Sequence, residues 1–166
     1  FEQGSFPKME IPFPEDTTKV SELPSMAKRT VFAAGNNVET PLYKCVNLRF
    51  TQNGLEAVCS DGNCMISAKG DNNSTGNADL LVPALSVEKL ARMSTDKDEF
   101  RVGSTGKSIV FMKENFMFSA RLMDGKYVDS ELLMSVVQNQ FTVLTDVSEL
   151  RRNLRFATTV EADGKV

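Results

Sequence analysis

The chain lacks histidine and tryptophan altogether, and its 166 residues include two tyrosines and three cysteines. The absence of histidine removes the commonest general base and the commonest zinc ligand of proteins. The cysteines Cys45, Cys59 and Cys64 form no C-x-x-C pair, and an odd number without a secretory signal indicates reduced thiols in a cytosolic setting. No apolar run approaches the length of a membrane span. These absences argue against a histidine-based enzyme, a disulfide-stabilised secreted domain and a membrane protein.

The overall charge is also low. The net charge is −3 and the pI is near 5.1, while 41% of the residues are hydrophobic. This composition can build a proper core, but it gives the molecule no general basic field. Any role with nucleic acid must therefore use a local basic surface on an acidic body.

What the chain does contain is an internal repeat. Residues 63–69 (NCMISAK) return 52 positions later as residues 115–121 (NFMFSAR), and the turn glycines match. The two frames continue without a gap back to residues 48–50, which face residues 100–102. A repeat at fixed period indicates one supersecondary unit used twice, although two amphipathic strands can also resemble each other by chance.

Each copy has the pattern of a strand, a helix and three further strands, and this order predicts an α+β fold of two βαβββ units. Apolar alternation, helical spacing and turn residues predict strands over 9–13, 44–51, 55–60, 64–69, 79–82, 100–103, 108–113, 116–122 and 140–144, and helices over 21–34, 83–93 and 147–160. We expect the helices to cover one face of antiparallel sheets. Alternation along residues 64–69 places Cys64, Ile66 and Ala68 on the core face and Met65 on the wetter face.

No catalytic or cofactor site can be assembled from these residues. Residues 103–108 (GSTGKS) invite comparison with a phosphate-binding loop, but the first glycine of that motif would fall at Arg101, and a strand follows instead of a helix. Cys64 has no histidine to activate it. We therefore expect no enzyme activity, no catalytic residue, no metal and no cofactor.

Basic residues recur on all three predicted helices. For any one helix, a solvated outer face is the simpler interpretation, but the recurrence favours a basic surface that the helices share. The residues concerned are Lys28, Arg29, Lys89, Arg92, Arg151, Arg152 and Arg155.

A repeated unit that continues into a third copy, with basic helices on an acidic body, resembles the bacterial sliding clamp, the β subunit of DNA polymerase III. The matching stretches include residues 55–66 with Ser60-Asp61-Gly62, residues 81–83 (LVP) before the second helix and, most specifically, residues 118–127 (FSARLMDGKY). The resemblance implies a DNA-clamp fold whose two halves, about 9–70 and 77–123, are related by a pseudo-twofold. It assigns residues 1–8 to the tail of a preceding domain, 9–138 to a middle domain with its linker, and 139–166 to the start of a third domain. We expect the chain to be a piece of a longer protein.

The resemblance also implies a function and two sites. In this family a homodimeric ring encircles duplex DNA without sequence preference and tethers the replicative polymerase in the cytoplasm, near the nucleoid, with no membrane partner. The seven basic residues above are then DNA-facing. The polymerase and the clamp loader insert a peptide into an apolar pocket, whose matching positions are Cys45, Ser60, Gly62, Asn63, Cys64, Met65, Val128 and Leu133.

The chain departs from the family pattern at the pocket. The family's histidine-arginine-leucine is Asn63-Cys64-Met65 here, and its linker proline is Val128. The peptide preference and the particular polymerase or loader therefore stay open, as does a replicative or an accessory role. The alternative is a divergent clamp-like protein-binding module that does not encircle DNA. By itself, this chain is expected to be monomeric or weakly associated and to bind DNA feebly.

Overall fold

The computed structural model describes residues 13–35, 39–71, 77–136 and 142–163. Within these residues there are eight strands, four α-helices and the short 3-10 helices Val31–Ala33 and Pro41–Lys44. The strands are β1 (Thr18–Val20), β2 (Cys45–Thr51), β3 (Gly54–Ser60), β4 (Met65–Gly70), β5 (Ala78–Pro83), β6 (Phe100–Ser104), β7 (Ser108–Lys113) and β8 (Phe116–Arg121). The helices are α1 (Leu23–Thr30), α2 (Ala84–Arg92), α3 (Ser130–Val136) and α4 (Val147–Asp163). The chain divides into two units, one ending at Ser130 and the other beginning at Glu131.

The strands of the first unit form two antiparallel sheets, ordered β1-β6-β7-β8 and β4-β3-β2-β5. The first strand of each half completes the sheet of the other half: β1 pairs with β6, and β5 pairs with β2. An isolated bridge between Leu81 and Met123 joins the edge strand β5 to the chain after β8. The two halves are therefore joined by exchanged strands, and the predicted α+β architecture is confirmed.

Helices α1 and α2 pack against each other and share one apolar core with both sheets. Leu23 and Met26 of α1 and Val87 and Leu90 of α2 are fully buried in it. These residues lie three or four positions apart, so each helix buries one stripe and exposes the opposite one. The helical stretch predicted over 21–34 begins at Leu23 and changes to a 3-10 turn at Val31–Ala33.

The predicted repeat is confirmed in the second hairpin of each half. Ser60 pairs with Met65, and 52 positions later Met112 pairs with Met117. The turns also correspond, because Gly62 (φ 94°) and its counterpart Glu114 (φ 44°) both adopt positive φ. The hairpins therefore share their register as well as their sequence pattern.

The gapless frame is wrong across the first hairpin. Thr51 pairs with Gly54 around a two-residue turn, whereas Ser104 pairs with Ile109 around four residues. The counterpart of Leu48 is therefore Ser104 and not Phe100. Because the side-chain period of a strand is two, residues four positions apart lie on the same face, so the shift leaves the apolar sequence pattern unchanged.

Three other predictions differ from the structure. The first strand was expected over 9–13, but residues 9–12 lie outside the described residues, Phe13 is in no strand, and β1 begins at Thr18. Of the strand expected over 140–144, positions 140 and 141 lie outside the described residues and 142–144 are not in a strand. The expected linker contains α3, since Ser130–Val136 is helical.

Candidate functional site

A second, smaller apolar cluster lies on the face of β2, β3 and β5 that points away from the helices. Alternation along β2 explains it, because Val46 and Leu48 belong to the main core while Cys45 points to the other side. We call this group the outer cluster; its buried members are Cys45, Val58, Leu81 and Tyr127, and Leu42, Met65 and Val128 pack against them while partly exposed. Three of the predicted pocket residues, Cys45, Met65 and Val128, are thus brought together.

Tyr127 ties the outer cluster to the sheet. Its hydroxyl accepts a hydrogen bond from the Ser60 N–H at 2.9 Å and donates one to the Cys45 carbonyl at 3.3 Å. The side chain is 6% exposed, and burial raises the pKa of its phenol, so the hydroxyl stays protonated and able to donate. Sequence reasoning did not include Tyr127 among the pocket residues, although a tyrosine in a mainly polar linker is a residue that combines apolar area with a hydrogen-bonding tip.

The end of β3 and the turn that follows it carry four of the predicted pocket positions, namely Ser60, Gly62, Asn63 and Cys64. The Ser60 hydroxyl donates to the Cys64 carbonyl at 2.7 Å and accepts from the Gly62 N–H at 3.1 Å. Asp61 Oδ1 accepts from the N–H groups of Cys64 and Asn63, both at 2.8 Å, and these bonds hold the pKa of the carboxyl below its ordinary value. The turn is therefore fixed by its own polar groups and presents an exposed Asn63 side chain.

The assignment of Cys64 to the core face is wrong. Its side chain is exposed, because β4 begins at Met65 and the hydrogen bonds of Cys64 belong to the turn, where strand alternation does not apply. Lost hydration and the nearby Asp61 charge raise the pKa of the Cys64 thiol. Met65, in contrast, packs onto the outer cluster and is only partly exposed.

The last predicted pocket residue, Leu133, lies in α3 within the second unit and is exposed. Its place in the pocket stays a prediction.

The predicted basic residues of α1 and α2 are all exposed, but two of them are paired within the chain. Lys28 Nζ lies 2.9 Å from Asp96 Oδ1, and Arg92 Nη2 lies 2.6 Å from Glu88 Oε1. Within the described ranges, Arg29 and Lys89 form no ion pair. The exposed surface of α1 and α2, which we call the helix face, therefore carries a small excess of positive charge.

A groove of about 390 Å³ runs between α1 and α2, and Lys28, Glu88 and Arg92 line it together with apolar side chains. Phe32 is 73% exposed and Leu85 is 62% exposed at this groove. The face is accordingly a mixture of apolar and charged groups.

Helix α4 begins as the sequence predicts. Asp146 Oδ1 accepts from the N–H groups of Ser148 at 2.9 Å and Glu149 at 3.0 Å and contacts the Ser148 hydroxyl, and these bonds lower the pKa of Asp146. Arg151, Arg152 and Arg155 are exposed along the following turns, where they line a shallow hollow with Phe156. The apolar residues Leu150, Leu154 and Phe156 of α4 are exposed as well.

Two negative findings apply to the described residues. None of their helices is both long enough and apolar enough to cross a bilayer. No three of their aspartate, glutamate and cysteine side chains come together in a group that could hold a metal ion.

Comparison with known proteins gives consistent matches. The model of the family described as DNA polymerase III beta subunit, central domain, matches residues 17–129. The beta sliding clamp of Lactococcus lactis is 25% identical, over 89% of this chain and 41% of that protein. The solved DNA polymerase III beta chain of Streptococcus pneumoniae has a TM-score of 0.80 at 20% identity, over 98% of this chain and 44% of that chain.

A Helicobacter pylori beta clamp, solved in complex with 3,4-difluorobenzamide, has a TM-score of 0.68 at 16% identity, over 86% of this chain and 40% of that chain. The chain thus spans less than half the length of these relatives. The resemblance predicted from the sequence is confirmed.

Proposed function

The chain belongs to the DNA polymerase III beta subunit family, and we propose that it is the middle part of a sliding clamp. In this proposal residues 9–138 form the middle domain with its linker, and residues 139–166 begin a third domain. The complete protein forms a homodimeric ring around duplex DNA, in the cytoplasm with the nucleoid, and holds the replicative polymerase there without catalysing a reaction.

The observation that carries the proposal is the weakly basic helix face. Four exposed cations stand on α1 and α2, and two of them are partly neutralised by Asp96 and Glu88. A ring that slides needs an attraction to phosphates that is independent of sequence and too weak to hold one position. We assign Lys28, Arg29, Lys89 and Arg92, and by analogy Arg151, Arg152 and Arg155 of α4, to this contact.

Retention on DNA tests the ring. The full-length protein that contains this chain is loaded onto nicked circular duplex DNA, and the circle is then cut. We expect release after cutting and retention when the ends are blocked, because a closed ring is held by topology. Retention on linear DNA with free ends would contradict the mechanism.

A charge-reversal variant tests the helix face. Replacing the two cations that form no ion pair (Arg29→Glu with Lys89→Glu) should shorten the lifetime on circular DNA at low salt, and the difference from wild type should shrink as salt is raised, because salt screens the contacts with phosphates. Two reversals at exposed cations of the β6–β7 turn and of β8 (Lys107→Glu with Arg121→Glu) make the same change in net charge and serve as the control. Equal effects of the two double variants would argue against a specific DNA-facing surface.

We further propose that the outer cluster and the β3–β4 turn form the partner pocket. Cys45, Ser60, Gly62, Asn63, Cys64, Met65 and Val128, all in the first unit, are the residues that we assign to it. The support is partly exposed apolar surface beside a turn that its own hydrogen bonds hold in place.

A matched pair of variants tests the pocket. Met65→Asp should abolish the chemical-shift changes that 3,4-difluorobenzamide causes at residues of the outer cluster, because a charge replaces apolar contact. Its repeat counterpart Met117 is 43% exposed at the equivalent position of the second half, so Met117→Asp is the control. Loss of binding in both variants would indicate a general effect of the charge.

A second candidate function is a clamp-like module that binds proteins and does not encircle DNA. The exposed Phe32 and Leu85 in the groove between α1 and α2 favour it, because apolar groups on that face suit a protein partner better than phosphates. The two candidates separate in the DNA assay: the module predicts no retention on circular DNA, while pocket binding persists.

A further inference from the structure

Asn47, in the middle of β2, is a buried polar residue without a hydrogen-bond partner. Its exposed fraction is 0%, and neither Oδ1 nor Nδ2 has a hydrogen-bond partner within the described residues. Buried amide groups are almost always hydrogen-bonded, since leaving one unpaired forfeits its hydration. An apolar residue of similar size would avoid this loss of hydration, so the unpaired carboxamide indicates a function other than stabilising the core.

The position of Asn47 connects it with the outer cluster. It lies two residues after Cys45 on β2, so the two side chains share a face. Its register partners are Val58 on β3 and Leu81 on β5, and both are buried members of the outer cluster. The unpaired carboxamide therefore belongs to the floor of the proposed pocket.

The segment 127–130 lies across this floor. The Tyr127 hydroxyl is bonded to the carbonyl of Cys45, and the Ser130 hydroxyl accepts from Arg49 Nη1 at 3.1 Å. Cys45 and Arg49 stand two positions before and after Asn47, so the chain between these anchors passes over it. Val128 packs there and is only partly buried. In our inference, displacement of the Val128 side chain, which belongs to neither anchor, gives a ligand access to Asn47.

We propose that Asn47 is the polar recognition group of the partner pocket and that it forms hydrogen bonds with an amide carried on an apolar ligand group. This inference rests on the proposed partner pocket. A carboxamide offers one acceptor and one donor side by side, and a ligand amide offers the complementary pair. The small molecule 3,4-difluorobenzamide has this chemistry, with an apolar ring and a primary amide, and it is the ligand in the Helicobacter pylori beta clamp. The same pairing is available to a peptide backbone.

The test compares two ligands on two proteins. Binding of 3,4-difluorobenzamide and of 1,2-difluorobenzene, which lacks the amide, is measured by chemical-shift titration of the whole chain and of the Asn47→Leu variant. If the ligand amide forms two hydrogen bonds of ordinary strength with Asn47, the wild-type protein should bind 3,4-difluorobenzamide about tenfold or more tightly than 1,2-difluorobenzene. The Asn47→Leu variant should bind both ligands about equally. The side-chain NH₂ signal of Asn47 should move downfield when the amide binds and stay in place with difluorobenzene.

The outcomes separate this inference from the pocket itself. Equal binding of both ligands to wild type, or an unmoved Asn47 NH₂ signal, would overturn the role of Asn47 and leave the pocket proposal intact. A persistent water contact at Asn47 in the free and the bound protein would also overturn it, because the carboxamide would then be satisfied by solvent. Absence of binding by either ligand would overturn the pocket and the inference that rests on it. The ligand comparison on wild type decides the question even if the variant does not fold.

Discussion

The hydroxyl of Tyr127 provides the sharpest test of how the outer cluster is held. The change Tyr127→Phe removes one oxygen and keeps the ring. The variant leaves the Ser60 N–H without its hydrogen-bond acceptor, and Ser60 is only 6% exposed. The Cys45 carbonyl, in contrast, keeps a contact with Cys59 Sγ at 3.6 Å. An unsatisfied buried donor costs about 1–3 kcal/mol, so we expect the free energy of unfolding to fall by that amount.

The assay is urea unfolding followed by far-ultraviolet circular dichroism, with thermal unfolding beside it. For a unit of this size the expected loss corresponds to about 4 °C in Tm per kcal/mol. The control is Tyr43→Phe, because the Tyr43 hydroxyl makes no hydrogen bond within the described residues and should change stability by less than about 0.5 kcal/mol. The reasoning is refuted if the two variants are equally stable.

The Tyr43→Phe protein gives an independent check, since Tyr127 is then its remaining tyrosine. Ultraviolet titration should show this phenol ionising above its ordinary pKa of 10.0, because burial raises the pKa. A phenol whose folded pKa is raised contributes stability that is complete below the unfolded pKa and is lost as the pH rises beyond it. Tyr127 should therefore weaken the fold only at strongly alkaline pH.

Three further outcomes are expected. Glu88→Gln removes the ion-pair partner of Arg92, so the DNA affinity of the full-length protein should rise. The slope of log K against the logarithm of the salt concentration should steepen by up to about 0.9, because one more cation contacts phosphate. An unchanged slope would place Arg92 away from phosphate. The hydrogen bond from Lys113, and then those from Thr95, lower the pKa of Asp98 from 3.8 to about 2. The contribution of Asp98 to stability is therefore present above pH 3.8 and is lost as the pH falls through 2. In urea titrations at several pH values, Asp98→Asn should abolish this loss of stability between pH 3.8 and 2. Asp146→Ala should lower the helicity of the second unit by circular dichroism, at a cost of about 1 kcal/mol, and unchanged helicity would show that the cap is dispensable.

Much of the fold follows from local sequence pattern. Strands β2, β3, β7 and β8 are rich in apolar residues and are bounded by turn residues, so their bounds were predicted within one or two positions. The short β1 has three residues, too few for alternation to distinguish it from a loop. The exchange of first strands could not be predicted, because which sheet a strand joins depends on tertiary packing that no local pattern encodes.

The candidate site was predicted less completely than the fold. Cys45, Met65 and Val128 do come together, but Tyr127 and Asn47 were missed. The hydrogen bonds of Tyr127 reach residues 67 and 82 positions away along the chain, a separation that gives no local signal. Cys64 was misplaced because alternation was extended by one residue into a turn whose conformation is set by Asp61. Local patterns therefore determine which face a strand residue takes, and they fail where the strand ends.

The duplication explains the scaffold, but it does not explain why the outer cluster lies on one half alone. Val58 and Met65 have counterparts in Val110 and Met117, so both halves present a similar outer strand face. The difference arises after β8, where the Met123 N–H bonds to the Leu81 carbonyl at 2.9 Å and directs the following chain back across β5, β2 and β3. Tyr127 then reaches the first half's sheet, and Met117 remains exposed on the second. The repeat thus supplies two similar surfaces, and the chain that follows it adds Tyr127 to one of them, where we propose the pocket.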